Sequence, residues 1–147
     1  MSKEIWAVVE HVDGHFKDTS FEILSAGRNL ATEFRTSLIA VLIGANELPV
    51  DSLFHFGAEK VMFLKHSAFK TWSTELAIDT LSPLIENRKP HFLLLASTSH
   101  GKELATGLSA KIGVDLATDC VSVEKKDVLG LKVRRPIYAG KVVSTIE

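Results

Sequence analysis

Four apolar runs recur along this chain, each followed by a segment of helical period: IWAVVE (5–10), SLIAVLIG (37–44), VMFLK (61–65) and HFLLLAS (91–97). Runs that do not alternate with polar residues are strands buried on both faces, and a strand–helix alternation builds a parallel sheet with helices on each side. The expected fold is therefore α/β: a three-layer, doubly wound, mainly parallel sheet with a short β-rich C-terminal segment.

The helices have their own signals. Thr19-Ser20-Phe21-Glu22 has the spacing of a capping box, and Ile23, Gly27, Leu30, Ala31 and Phe34 then share one face. Pro49 to Phe56 reads as a short helix closed by Gly57. Residues 73–89 are helical in period, with two competing inner faces: Leu76, Thr80, Leu84 and Asn87, or Leu76, Leu81 and Ile85. Pro83 within that stretch is expected to kink or shorten the helix, because it lacks a donor and crowds the preceding turn. The helix after the fourth strand spans Gly101 to Ile112, with Leu104, Leu108 and Ile112 on one side. Beyond it the rhythm breaks into short β-type runs, CVSVE (120–124), LKVRR (131–135) and KVVSTI (141–146), which are expected to pair antiparallel or to join a sheet edge.

A chain of 147 residues that is 46% hydrophobic suits one domain, 1–147. The final β-type run has no polar tail, which suggests a chain cut at a domain junction. With 17 basic and 18 acidic residues the net charge is −1, so no global field draws the protein to nucleic acid or an anionic membrane. A single cysteine, Cys120, excludes an internal disulfide framework and suits a reducing compartment. The apolar runs are too short for a signal-peptide core or a membrane span. The expectation is a soluble, cytoplasmic protein.

The stretch LLLASTSHGKELATGLSA (93–110) carries the nearest approach to ligand chemistry. A strand, a Gly101-Lys102 loop and a helix start are the parts of a phosphate cradle. A Walker motif would need glycine where Ala96 stands, and Ser or Thr in place of Glu103, whose carboxylate would repel phosphates. Ser97, Thr98, Ser99, Gly101 and Lys102 thus remain weak anion or nucleotide candidates, against a plain helix start capped by Thr98 or Ser99. The first strand runs into Glu10-His11-Val12-Asp13-Gly14, which lacks the clustered glycines of a dinucleotide fingerprint. His11, Asp13 and His15 read as a solvated turn without a metal. Cys120 reads as an inert thiol, and Asp115 and Asp119 read as turn residues. Arg134 and Arg135, adjacent on a strand, face opposite sides. No constellation of nucleophile, base and orienter emerges.

Taken as a whole, IWAVVEHVDGHFKDTSFEILSAGRNLA, GAEKVMFL, LLLASTSHGKELATGLSAKIGVDLATDCVSVE and RRPIYAGKVVSTI resemble the N-terminal domain of the electron transfer flavoprotein alpha subunit. The last two stretches are the specific part. The resemblance implies a fold related to the adenine nucleotide alpha-hydrolase and universal stress protein group. It further implies a heterodimer with a homologous beta subunit. Such a dimer carries electrons from flavoprotein dehydrogenases to an acceptor such as a membrane quinone reductase. In that family FAD is held mainly by a second alpha-subunit domain, with help from the partner, and adenosine phosphate, where present, sits on the beta subunit. The FAD-binding domain would follow RRPIYAGK and is absent from this chain, so the resemblance implies no cofactor on this chain alone and no catalytic residues of its own.

Residue by residue, Gly101 and Lys102 match the family's loop before the fourth helix, and Arg135, Tyr138, Ala139 and Gly140 match its junction strand and turn. The family usually has asparagine next, where this chain has Lys141. Arg135, Tyr138, Gly140 and Lys141 are the implied interface or interdomain residues. The alternative is a free-standing adenine-nucleotide-binding module of the universal stress protein type. That group follows its glycine pair with Gly-Ser or Gly-Thr, whereas Gly107 here precedes Leu108 and Gly113 precedes Val114.

Overall fold

The structure, a computed structural model, describes residues 4–113, 116–120, 122–125, 131–134 and 141–145. Its elements run β1 (Ile5–Val9), β2 (His11–Val12), β3 (His15–Phe16), α1 (Asp18–Phe34), β4 (Leu38–Gly44), α2 (Asp51–His55) and β5 (Lys60–Lys65). A 3-10 turn (Ser67–Lys70) leads to α3 (Thr74–Arg88), β6 (Phe92–Leu95) and α4 (Ser99–Ile112). Then come β7 (Leu116–Cys120), β8 (Ser122–Lys125), β9 (Leu131–Arg134) and β10 (Lys141–Thr145).

Among the described residues six strands form one sheet in the order β5-β4-β1-β6-β10-β7. The first four are parallel, and β10 lies antiparallel to both its neighbours. Alternate side chains of each strand feed two cores. Ile5, Ala7 and Val9 with Leu38, Ala40, Leu42, Phe92 and Leu94 pack with Ile23, Leu24 and Leu30 of α1 and Leu53 of α2. Trp6 and Val8 with Ile39, Val41, Ile43, Leu93 and Leu95 pack with Ala77, Leu81 and Ile85 of α3 and Leu104 and Leu108 of α4. Burial on both faces is why these strands carry no polar alternation, and the α/β three-layer expectation holds.

Several local expectations change. The helix after β1 starts at Asp18 with Lys17 as its N-cap and no side-chain cap bond, so the Thr19–Glu22 box does not form. Ser20 is drawn instead to the end of β1: its hydroxyl donates to the Glu10 carbonyl at 2.8 Å and accepts from the Glu10 amide at 2.7 Å. Thr19 Oγ1 is left buried with no hydrogen-bond partner among the described residues. Ser73 caps α3 through the Leu76 amide, and the helix continues through Pro83 for 15 residues. Pro83 sits on the exposed side, where water can take the carbonyl that its missing donor leaves unpaired. Of the two competing faces the structure buries Leu81 and Ile85, joined by Ala77 and Ser82. The expected strand 120–124 is divided, since Cys120 ends β7 and β8 begins at Ser122. β8 and β9 pair antiparallel as a separate ribbon. The last strand pairs antiparallel, as expected, and does so inside the sheet: β10 is inserted between β6 and β7.

Candidate functional site

The chain proceeds outward from β1 to β4 and β5, then returns to the other side of β1 as β6. Ligands in such sheets sit at the carboxyl ends of the strands where the order reverses. Here that place, between β1 and β6, opens into a cavity of about 330 Å³ floored by Val8, Val9, Ile43 and Leu95 and bordered by Trp72 and His100.

The first wall is a hairpin. β1 runs through Glu10 into β2, which pairs with β3 through His11↔Phe16 and Val12↔His15. Asp13 and Gly14 form its two-residue loop with φ of 50° and 80°, the double left-handed geometry that Asp-Gly supplies most readily. No atom of the described residues lies within 4 Å of where a Cβ on Gly14 would stand, so backbone strain is what opposes a side chain there. Gly14→Ala is therefore expected to lose about 1 kcal/mol in urea unfolding, the left-handed penalty alone. The His11 ring nitrogen Nε2 meets the Ile43 carbonyl at 2.8 Å and lies over Gly44, where a Cβ would come within 2.9 Å of it. Their register puts His11 and His15 on opposite faces of the ribbon. Among the described residues no group of three His, Cys, Asp or Glu is placed to hold a metal ion.

The second wall is the start of α4. Thr98 is its N-cap: its hydroxyl oxygen accepts from the Gly101 amide at 3.0 Å. Gly101 and Lys102 thus lie in the first turn of the helix rather than in a loop before it, because the cap sits two residues earlier than the glycine suggests. Ser99 opens the helix and is exposed, while Ser97 is half-buried in the approach to it. The Thr98 hydroxyl also donates to Glu10 Oε2 at 2.6 Å, and Lys17 Nζ binds Glu10 Oε1 at 3.2 Å. Only 13% of the Glu10 side chain is exposed. A carboxylate from the end of β1 is therefore coupled, through one hydroxyl, to the first turn of α4.

Glu103, the carboxylate that spoils the Walker pattern, points elsewhere. It accepts from Thr74 Oγ1 at 2.9 Å, and Thr74 accepts from Trp72 Nε1 at 2.9 Å. Trp72 also stacks on His100, with ring centres 4.9 Å apart and planes 19° from parallel. These contacts tie the starts of α3 and α4 together along the rim. Sequence reasoning missed Glu10, Lys17 and Trp72. The one available signal was an acidic residue ending an apolar strand directly before a turn.

Ser97, Thr98, Ser99, Gly101 and Lys102 are thus gathered at one end of α4, but the partner that the structure supplies to Thr98 is an acid. Arg135, Tyr138 and Gly140 lie outside the described residues, as does Asp115. Arg134 ends β9, and Asp119 lies within β7. Lys141 begins β10, in register with Cys120 and next to Val142, which pairs with Leu95. The backbone after the RRPIYAG segment therefore enters the sheet at the same end as the cleft.

Comparison with known proteins agrees along the chain. The family model described as the electron transfer flavoprotein domain matches residues 5–147. The electron transfer flavoprotein subunit alpha of Clostridium acetobutylicum is 31% identical over 98% of this chain and 44% of its own length. The subunit of the same name from Bacillus subtilis is 30% identical over 99% of this chain and 44% of its own. The acryloyl-CoA reductase electron transfer subunit beta of Anaerotignum propionicum is 26% identical over 98% of this chain and 46% of its own. The chain spans less than half the length of these relatives. Among the described residues no helix is long and apolar enough to cross a membrane. On the match across residues 5–147, this chain belongs to the electron transfer flavoprotein domain family.

Proposed function

We propose that this chain is the N-terminal scaffold and partner-interface domain of an FAD-containing electron carrier of alpha-subunit type. The carrier takes electrons from flavoprotein dehydrogenases and passes them to an acceptor such as a quinone reductase. The family match over residues 5–147 carries the reading, and relatives named as electron transfer subunits support it. In this reading the chain pairs with a homologous beta subunit in the cytoplasm. FAD is held mainly by a further domain, and residues 1–147 contribute no catalytic group. Bound FAD would supply one- and two-electron chemistry. The role of this chain is to position the flavin-bearing part against its partner.

Arg135, Tyr138, Gly140 and Lys141 are the residues proposed for that contact. Their support is the family's junction pattern and the entry of β10 beside the cleft. In the complete heterodimer, Arg135→Ala with Tyr138→Phe is expected to lower FAD content and subunit assembly, read by flavin absorbance and size-exclusion chromatography. Unchanged assembly, FAD content and electron transfer would remove these residues from the proposal.

The cavity at the strand ends favours one competing reading, a free-standing adenine-nucleotide module. Mass spectrometry of small molecules released by denaturing the purified chain separates the two. Neither FAD nor adenosine phosphate is expected. Stoichiometric AMP or ATP would establish the nucleotide module instead.

A further inference from the structure

A helix start at a topological switch point ordinarily attracts a phosphate, because its first amides lack helical acceptors and the helix dipole is positive there. The chain has this geometry, and it also has a cavity of about 330 Å³ beside it that could admit a ligand. Two further observations bear on what the place holds. The Glu10 carboxylate, largely buried, reaches the first turn of α4 from the opposite wall and binds the capping hydroxyl of Thr98 at 2.6 Å. Lys17, a cation on the same wall, is spent on that carboxylate at 3.2 Å. A Cβ built on Gly101 would stand 3.2 Å from Glu10 Oε2, so the surface of the turn is already in contact range of an acid oxygen.

We propose that Glu10 is the resident anion of this cleft, occupying the place of a phosphate and barring phosphate-bearing ligands from the domain. An anion site needs a helix start, a hydroxyl and a cation; all three are here, and Glu10 binds the hydroxyl and the cation. An incoming phosphate would meet a carboxylate at short range in a partly desolvated site, where like charges repel strongly. The Thr98 hydroxyl, the Lys17 ammonium and the Gly101 amide are already engaged. This inference goes beyond the carrier reading and stands or falls separately from it.

The test uses the full chain and inorganic phosphate as the probe, following the backbone amides of residues 98–102 by NMR and heat by calorimetry. The wild-type chain is expected to show no saturable response. Glu10→Ala removes the acid and frees Lys17. It is expected to bind phosphate at those amides at least about tenfold more tightly than wild type, the scale of a charge-assisted hydrogen bond gained. Glu10→Gln keeps the shape without the charge and is expected to gain less. Lys17→Ala added to Glu10→Ala should abolish the gain. Saturable binding at residues 98–102 in the wild-type chain would overturn the proposal. So would folded Glu10→Gln and Glu10→Ala variants that respond no more than wild type, or a response confined to another part of the molecule. If Glu10→Ala does not fold, Glu10→Gln alone decides.

Discussion

Gly101→Ala is expected to destabilise the domain by about 3 kcal/mol, at the upper end of overpacking costs. A Cβ at this position would lie 1.9 Å from the Ala96 carbonyl oxygen and 3.1 Å from its carbon. Those are backbone atoms at the end of β6, so no rotamer change relieves the overlap, and α4 would have to move off the sheet. Movement of α4 would also pull Thr98 from Glu10 and break the bond that joins the two walls of the cleft. Urea unfolding measures the loss, and thermal unfolding should show a fall of roughly 10 °C for a chain of this size. Gly107→Ala is the matched control. Its Cβ would meet Ile78 Cδ1 at 2.1 Å, the far end of a flexible side chain that can turn away. The helix-propensity gain of about 1 kcal/mol offsets that adjustment, so near-neutral stability is expected. If the two variants behave alike, the close approach of α4 to Ala96 is wrong.

Trp6→Ala is expected to cost about 4 kcal/mol, in the range measured for emptying a large aromatic site in a core. Trp6 is fully buried, on the β1 face that packs against α3 and α4. It shares one core cluster with Ala77, Leu81 and Ile85 of α3 and Leu93 of β6. Its polar edge is also engaged, because Nε1 donates to Glu4 Oε1 at 3.2 Å, and the Arg88 guanidinium lies 5.7 Å from the ring centre. Trp6→Phe retains most of the volume and loses the hydrogen bond, so a cost of about 1–2 kcal/mol is expected. A urea midpoint that fails to order the chains as wild type, Trp6→Phe, Trp6→Ala would contradict this packing.

Much of the fold was legible because burial on both faces leaves a mark in composition. IWAVV, LIAVLIG and FLLL hold no polar residue, and each became a strand of the parallel sheet. The cap at Thr98 was legible too, as one of two hydroxyls before a helical run. What escaped was decided by contacts far apart in sequence. The cap expected at Thr19 does not form, and Ser20 beside it turns to the end of β1, 10 positions earlier, where its buried hydroxyl bonds both the amide and the carbonyl of Glu10. The bond between Glu10 and Thr98 spans 88 positions, and nothing near either residue announces the other. The same limit hid the place of β10. Short β-type runs announce that they pair, and only the assembled sheet decides with which strands. The two candidate faces of α3 were equal in period, and the choice of Leu81 and Ile85 was made by the sheet they cover.

The interior position of β10 sets the order in which this domain can be completed. During synthesis β1, β4, β5 and β6 can pair as soon as residue 95 is free, but β6 then presents an open row of backbone donors and acceptors. Among the described residues β7 has no sheet neighbour except β10, so it waits with it. Only when residues 141–145 slot between them does β6 gain its second neighbour and β7 join the sheet. The nascent chain therefore passes through a stage in which β6 is an uncovered edge, and there intermolecular strand addition competes with folding.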